Sequence, residues 1–256
     1  MESQLLRLLE ETSAALSEAD STESALAQAV TLICRRAGWP VGHVYLPAKD
    51  APGEFISSEF WHLEGPERFD TFRAVTSATR FSPGVGVIGR VLATRAPTWV
   101  PDVTSDPQFV RAHVERDIGV RAGVMLPVPV GRDLAGVLEF FSPDAVPPDP
   151  ALLDAMALVG MQVGVCLARV RAERRVVLED LASAVSHAVN SPLLAARNAL
   201  ELLEEDLAEG QTSSPFLGIA RDELARVAEV MRRLRHIAGA CGETAAVHEL
   251  DQLLSA

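Results

Sequence analysis

The spacing of apolar residues changes period along the chain, and the changes divide it. Leu5, Leu8, Leu9 and Leu16 share one side of a helix over residues 1–17. Ser21 or Thr22, followed by Glu23, opens a second helix that runs through residues 25–37 and stops at Gly38. The pattern then shortens. Residues 40–47, with Val41, Val44, Tyr45 and Leu46, and residues 54–63, with Phe55, Ile56, Phe60 and Trp61, read as strands. Residues 69–79 are rich in Thr, Val and Phe but have no clear period, which predicts irregular chain or a further strand. A short helix is expected over residues 87–94, an extended segment over 96–102, and another short helix over 111–117. Residues 123–130 and 134–142 flank a Gly-Arg-Asp turn and predict a hairpin of two buried strands. Prolines between 143 and 150 break the chain, and one helical pattern then runs from about residue 151 to Asp206.

Within that long pattern Val163, Leu167, Val170, Val177, Leu181, Ala184 and Ala188 recur at heptad spacing, with Arg174 on a core position that weakens the seam locally. After a polar connection, Ser214 and Pro215 supply a cap and a first-turn residue for a second helix. Its Leu217, Ala220, Leu224, Val227, Met231 and Leu234 alternate steps of three and four. Two such helices make an antiparallel hairpin that cannot bury its seam alone, so a parallel homodimer closing a four-helix bundle is expected. The fold class is therefore α+β: an antiparallel sheet flanked by helices, then a helical hairpin. The expected divisions are 1–20 for an N-terminal helix, 21–169 for the sheet domain, 170–240 for the hairpin and 241–256 for a tail.

Composition narrows the function classes. Of 256 residues 48% are hydrophobic, which sets the chain apart from disordered sequences, and the net charge of −12 argues against nucleic acid or an anionic membrane as partner. Arg169, Arg171, Arg174 and Arg175 form a local basic cluster, read as a solvated helical face. Cys34, Cys166 and Cys241 lack metal-ligand spacing. With no basic, apolar leader, and an apolar run over 155–168 too short for a bilayer, a cytoplasmic protein without a membrane segment is expected.

The chemistry centres on Ser183-Ala-Val-Ser-His-Ala-Val-Asn-Ser-Pro-Leu193, where His187 lies on the flank of the seam, within reach of an outside partner. Pro192 removes the amide that would bond the carbonyl of Ala188, so a bend just past the histidine is expected. Gly84, Gly86 and Gly89 have dinucleotide-binding spacing, but no strand–helix–strand unit surrounds them and a turn into a helix is the simpler reading. Asp102 and Asp106 read as turn and capping residues.

His187, Ser191, Pro192 and Leu193 resemble the phosphoacceptor box of sensor histidine kinases; the acidic residue that commonly follows the histidine is Ala188 here. Phe81-x-Pro-Gly-x-Gly-x-x-Gly-Arg-Val, Trp99-Val-Pro-Asp-Val, the strand over 122–130 and Gly136-Val-Leu-Glu-Phe-Phe-Ser resemble GAF sensor domains, over about residues 22–169. The first resemblance implies that His187 accepts phosphate from ATP and passes it to an aspartate of a response regulator. It implies that Ser191 occupies a position used in dephosphorylation. It also implies that autophosphorylation is slow unless another carboxylate, such as Glu179, Asp180 or Glu223, takes the place of the acid missing at Ala188. ATP and Mg would be needed only with a catalytic domain, in cis or in trans, since residues 243–256 resemble only the opening of one. The chain is on this reading a fragment, or a protein phosphorylated by a separate kinase.

The second resemblance implies a small-molecule ligand or a dimerising spacer, and the sequence names no ligand. A bilin would need a reachable cysteine, whereas Cys34 and Cys166 are expected on helices at the domain edge. Haem would need an axial ligand; His43, His62 and His113 qualify by residue type only and read as boundary histidines. Two functions remain: the sensor and phosphoacceptor portion of a cytoplasmic two-component histidine kinase, or a non-catalytic dimeric sensor or scaffold with a degenerate hairpin.

Overall fold

The structure, a computed structural model, describes residues 2–113, 118–209 and 214–239. It divides into two compact units, residues 1–172 and 173–256. Cys241, the expected tail over 241–256 and most of the polar connection between the hairpin helices lie outside the described residues.

The first unit opens with helices α1 (Glu2–Glu18) and α2 (Thr22–Ala37). Ser21 caps α2 by accepting from the amide of Ser24, and Gly38 ends it in the left-handed region at φ 70°. Strands β1 (Val41–Pro47) and β2 (Phe55–Leu63) follow. Residues 66–69 form one turn of 3-10 helix and lead into α3 (Asp70–Ala78). This corrects the reading of residues 69–79 as irregular or strand. Phe72 and Thr76, four residues apart, are buried together, and packing of that face overrides the strand preference of Thr and Val.

Strand β3 (Arg80–Phe81), helix α4 (Gly86–Thr94) and strand β4 (Thr98–Val100) complete the connecting region. The short helix expected over 111–117 is a 3-10 turn at Val110–His113, and residues 114–117 lie outside the described residues. Strands β5 (Ala122–Val130) and β6 (Asp133–Ser142) form the expected hairpin, and α5 (Pro150–Ala208) begins with Asp149 accepting from the amides of Ala151 and Leu152. The six strands pair antiparallel in the order β3-β2-β1-β6-β5-β4.

Alternation along the central strands sorts side chains into two cores. Val44, Val124, Leu126, Val128, Leu138 and Phe140 face α1, α2 and the first part of α5. Val41, Tyr45, Met125, Val137 and Phe141 face the side covered by α3, α4 and the loop before β5. The guanidinium of Arg169 donates to the carbonyls of Leu16 and Ala19 and so closes the end of α1 against α5.

The heptad reading needs a correction here. Val163, Leu167 and Val170 are buried in the core of the first unit, packed with α1, α2 and the sheet rather than lining an intermolecular seam. Leu158, Met161 and Val165 are the large apolar residues this part of α5 leaves exposed. The same helix contains an apolar window long enough to cross a bilayer by length and composition, and 44% of that window is buried inside the protein.

In the second unit α5 continues through Pro192 to Ala208, and α6 runs from Phe216 to Gly239. Ser214 accepts from the amide of Phe216 at 3.3 Å, at the start of α6. Among the described residues of this pair Ala196, Ala199 and Ala220 are the buried apolar ones, while Leu193, Leu200, Leu207, Leu217, Leu224 and Met231 remain exposed.

Candidate functional site

Two groups of residues carry chemistry, one in each unit. In the first, Glu139 is the one charged side chain in the buried run of β6. Alternation turns it away from α5 and towards the aromatic core, directly opposite His43 of β1 in the strand register. Arg111, from the 3-10 turn, reaches it with both terminal nitrogens at 2.7 and 2.8 Å. One of those nitrogens also donates to the hydroxyl of Thr76 at 3.0 Å, and Tyr45 donates its hydroxyl to the Thr76 carbonyl.

His43 Nδ1 lies 2.9 Å from Glu139, and its Nε2 lies 2.9 Å from the hydroxyl of Ser57. Phe72, Phe109 and Phe141 place their ring centres 4.7 to 5.2 Å from the Arg111 guanidinium carbon. Trp61 stacks on His43 at 4.0 Å.

The protonation states follow from these contacts. Burial alone would raise the Glu139 carboxyl, but the Arg111 charge and the hydrogen bonds from His43 and Arg111 outweigh it and bring it down to about 2. Burial lowers His43 and prevails over the raising influence of Glu139, leaving the ring neutral at pH 7. Its Nδ1 then carries the proton and donates to Glu139, and its Nε2 accepts from Ser57. The order hydroxyl, imidazole, carboxylate matches that of a nucleophile relay, but two guanidinium hydrogen bonds hold the carboxylate, and the arrangement reads as an internally neutralised ion network.

This network corrects the reading of His43 as a boundary histidine, for it is fully buried. His62 is half-buried, and its Nε2, shielded from solvent, lies 3.7 Å from Glu64, beyond hydrogen-bond reach. The His113 side chain lies outside the described residues. Cys34 and Cys166 are both buried in the core against α1, α2 and α5 rather than placed at an edge, and burial pushes the Cys34 thiol up, away from the reactive thiolate. No cluster of metal-ligating side chains occurs among the described residues.

The glycine-rich segment is a turn. Gly84 and Gly86 have φ of 84° and 69°, and a Cβ at Gly89 would lie 2.3 Å from the Ser82 carbonyl. The amides of Gly84, Val85, Val87 and Gly89 all bond carbonyls of the same segment or of Gln108, so they are not free to cradle a phosphate. Asp102 and Asp106 accept from the amides of Thr104 and Gln108, as turn residues do.

In the second unit the exposed His187 lies in a groove of about 540 Å³ between α5 and α6. Ala188, Ser191, Pro192 and Ala195 line it from α5, and Glu223, Arg226, Glu229, Val230 and Arg233 from α6. The structure thus brings together His187, Ser191, Pro192 and Glu223 of the residues singled out in the sequence. Glu179 instead pairs with Arg175 at 2.6 Å, and neither it nor Asp180 lines the groove. Glu223 pairs with Arg226 at 3.1 Å, and Glu229 with Arg232 and Arg233.

The buried network went unread in the sequence although it left a signal, a lone Glu in the apolar run Val137-Leu-Glu-Phe-Phe141. Such a residue demands a buried partner, but Arg111 and His43 are identified only once the topology joins three distant segments.

Comparison with known proteins bears on the first unit. The free methionine-R-sulfoxide reductase of Neisseria meningitidis, solved with its substrate, matches with a TM-score of 0.55 at 16% identity over 66% of this chain and 91% of that one. The GAF domain of a phosphoenolpyruvate-protein phosphotransferase from Coxiella burnetii matches with a TM-score of 0.55 at 16% identity, over 67% and 97%. The A. aeolicus nlh2 GAF domain in an inactive state matches with a TM-score of 0.50 at 15% identity, over 64% and 96%. At these identities the likeness is one of fold. No curated protein matches the chain. The GAF domain pattern matches residues 20–168, more than half of the chain, and takes in every strand of the sheet together with the buried ion network; the chain therefore belongs to the GAF domain family.

Proposed function

We propose that the chain is the sensor and phosphoacceptor portion of a cytoplasmic two-component histidine kinase, working as a homodimer. His187 takes a phosphoryl group from ATP held by a catalytic domain, in cis or in trans, and passes it to an aspartate of a response regulator. The observation that carries the reading is the position of His187: exposed, in a groove shared with Ser191 and Pro192, on the same helix whose first turns pack into the GAF domain core. In this reading a small-molecule or protein signal acts on the GAF domain, and Ser191 is placed to orient water for dephosphorylation. Pro192 bends or loosens the helix next to the histidine.

Ala188 favours a second reading, in which the hairpin survives only for association and the chain is a dimeric sensor or scaffold. The two separate on one experiment. The full chain and His187→Ala are incubated with Mg-ATP and the ATP-binding domain of a related histidine kinase, and acid-labile phosphate is counted. Label on the parent and none on the variant is expected. An unlabelled parent, beside a control bundle that the same domain labels, supports the scaffold instead.

A further inference from the structure

A neutral imidazole that attacks phosphorus through Nε2 becomes a phosphoimidazolium, and the other ring nitrogen needs an acceptor for its proton. Position 188 offers none, since Ala188 has no polar atom. The neighbours one turn away on α5 are Ser183, Ala184, Asn190 and Ser191, all uncharged. The nearest acids before the histidine on this helix, Asp180 and Glu179, are seven and eight residues back, which is about 10 to 12 Å along the axis at 1.5 Å per residue. Glu201 is about 21 Å beyond it on the same count. Helix α5 therefore places no carboxylate beside the ring, and the acids that share the groove with it come from α6.

Two carboxylates line the groove from α6. Glu229 already binds the guanidinium groups of both Arg232 and Arg233. Glu223 is paired with Arg226, and its side chain is 20% exposed, so it is held in place by its surroundings yet open to the groove. We infer that Glu223 is the proton acceptor for His187, taking from the opposite helix the part that Ala188 leaves empty. The inference rests on the reading of His187 as the phosphoacceptor.

In the step it describes, Nε2 of His187 forms the N–P bond as the bond from the γ-phosphorus to the β,γ-bridging oxygen of ATP breaks. ADP leaves with the electron pair, and the Nδ1 proton passes to the Glu223 carboxylate and on to solvent. The ring ends as neutral phosphohistidine, and no other reactant is consumed.

The test uses the full chain, Mg-ATP and the same ATP-binding domain in trans, and measures the initial rate of acid-labile labelling. Glu223→Gln should label at least about ten-fold more slowly, since positioned general bases contribute 10²–10⁴-fold. Glu201→Gln, whose carboxylate lies outside the groove, should label at the parent rate. Adding Ala188→Glu to Glu223→Gln should restore labelling, because a carboxylate is then supplied from the histidine's own helix. A merely structural role for the Glu223–Arg226 pair would not be restored that way. Parent-like labelling of Glu223→Gln, or no recovery in the double variant, overturns the inference and leaves His187 as the acceptor. An unlabelled parent chain overturns the reading of His187, and the inference falls with it.

Discussion

Glu139 and His43 set how the first unit answers acid, and the sign follows from the direction of each shift. The Glu139 carboxyl is brought down to about 2, against about 4.3 in an unfolded chain. Its contribution is complete above about pH 4.3 and is lost as the pH falls towards 2. His43 is also lowered, from about 6.5, so below that pH the unfolded chain binds a proton that the folded one refuses. Stability then declines by up to about 1.4 kcal/mol per pH unit for that proton. Urea midpoints measured across pH should therefore fall in two stages, the first below about 6.5 and the second below about 4.3. His43→Gln should remove the first stage, and a midpoint that is flat from about pH 7.5 to 5 would contradict the assignment. At this scale the sequence was a poor guide. A histidine looks the same at a boundary and in a core, and what buries His43 is its register against Glu139, a residue 96 positions away.

Helix α5 approaches strand β5 more closely than side chains would allow. A Cβ on Gly160 would lie 2.7 Å from the carbonyl oxygen of Pro127, and one on Gly164 would lie 2.0 Å from that of Pro129. Gly164→Ala should push the helix from the strand and lower stability by about 1–3 kcal/mol, despite alanine's better helix propensity. Gly218, on α6, has nothing within 4 Å of its Cβ direction. Gly218→Ala should raise the stability of the second unit by up to about 1 kcal/mol. Opposite shifts in thermal unfolding would confirm both, and a neutral Gly164→Ala would show that the close approach is dispensable. Most elements were legible because their period, caps and turns agree. Ser21, Gly38 and the Gly131 turn all stand where the elements begin or end. The heptad through Val163, Leu167 and Val170 misled, since periodicity shows which face is apolar and not what covers it. Residues 69–79 misled for a related reason: the burial of Phe72 and Thr76 is decided by the sheet they pack on.

Across the whole molecule, apolar surface is distributed unevenly. The first unit closes two cores around its sheet, while the described residues of the second bury little beyond Ala196, Ala199 and Ala220 and expose leucines on both helices. A second copy of the chain would cover them, and light scattering at micromolar concentration should give twice the 27.4 kDa of one chain. Leu224→Glu with Met231→Glu should shift the mass to that of a monomer; a parent chain already monomeric would sink the bundle. The apolar stripes of the two hairpin helices could be read from their spacing, whereas what covers them is not set by spacing and is what the mass measurement decides.

The tryptophans and the tyrosine, Trp39, Trp61, Trp99 and Tyr45, all belong to the first unit, so ultraviolet emission reports on the GAF domain alone. Trp61 rests on the imidazole of His43, and a protonated imidazole quenches a neighbouring indole. A loss of emission that comes only below the ordinary imidazole range, and before the loss of helical ellipticity, would be the optical trace of a proton forced onto His43 in the folded domain. The stacked pair thus gives the domain a built-in, label-free probe of its own charged core.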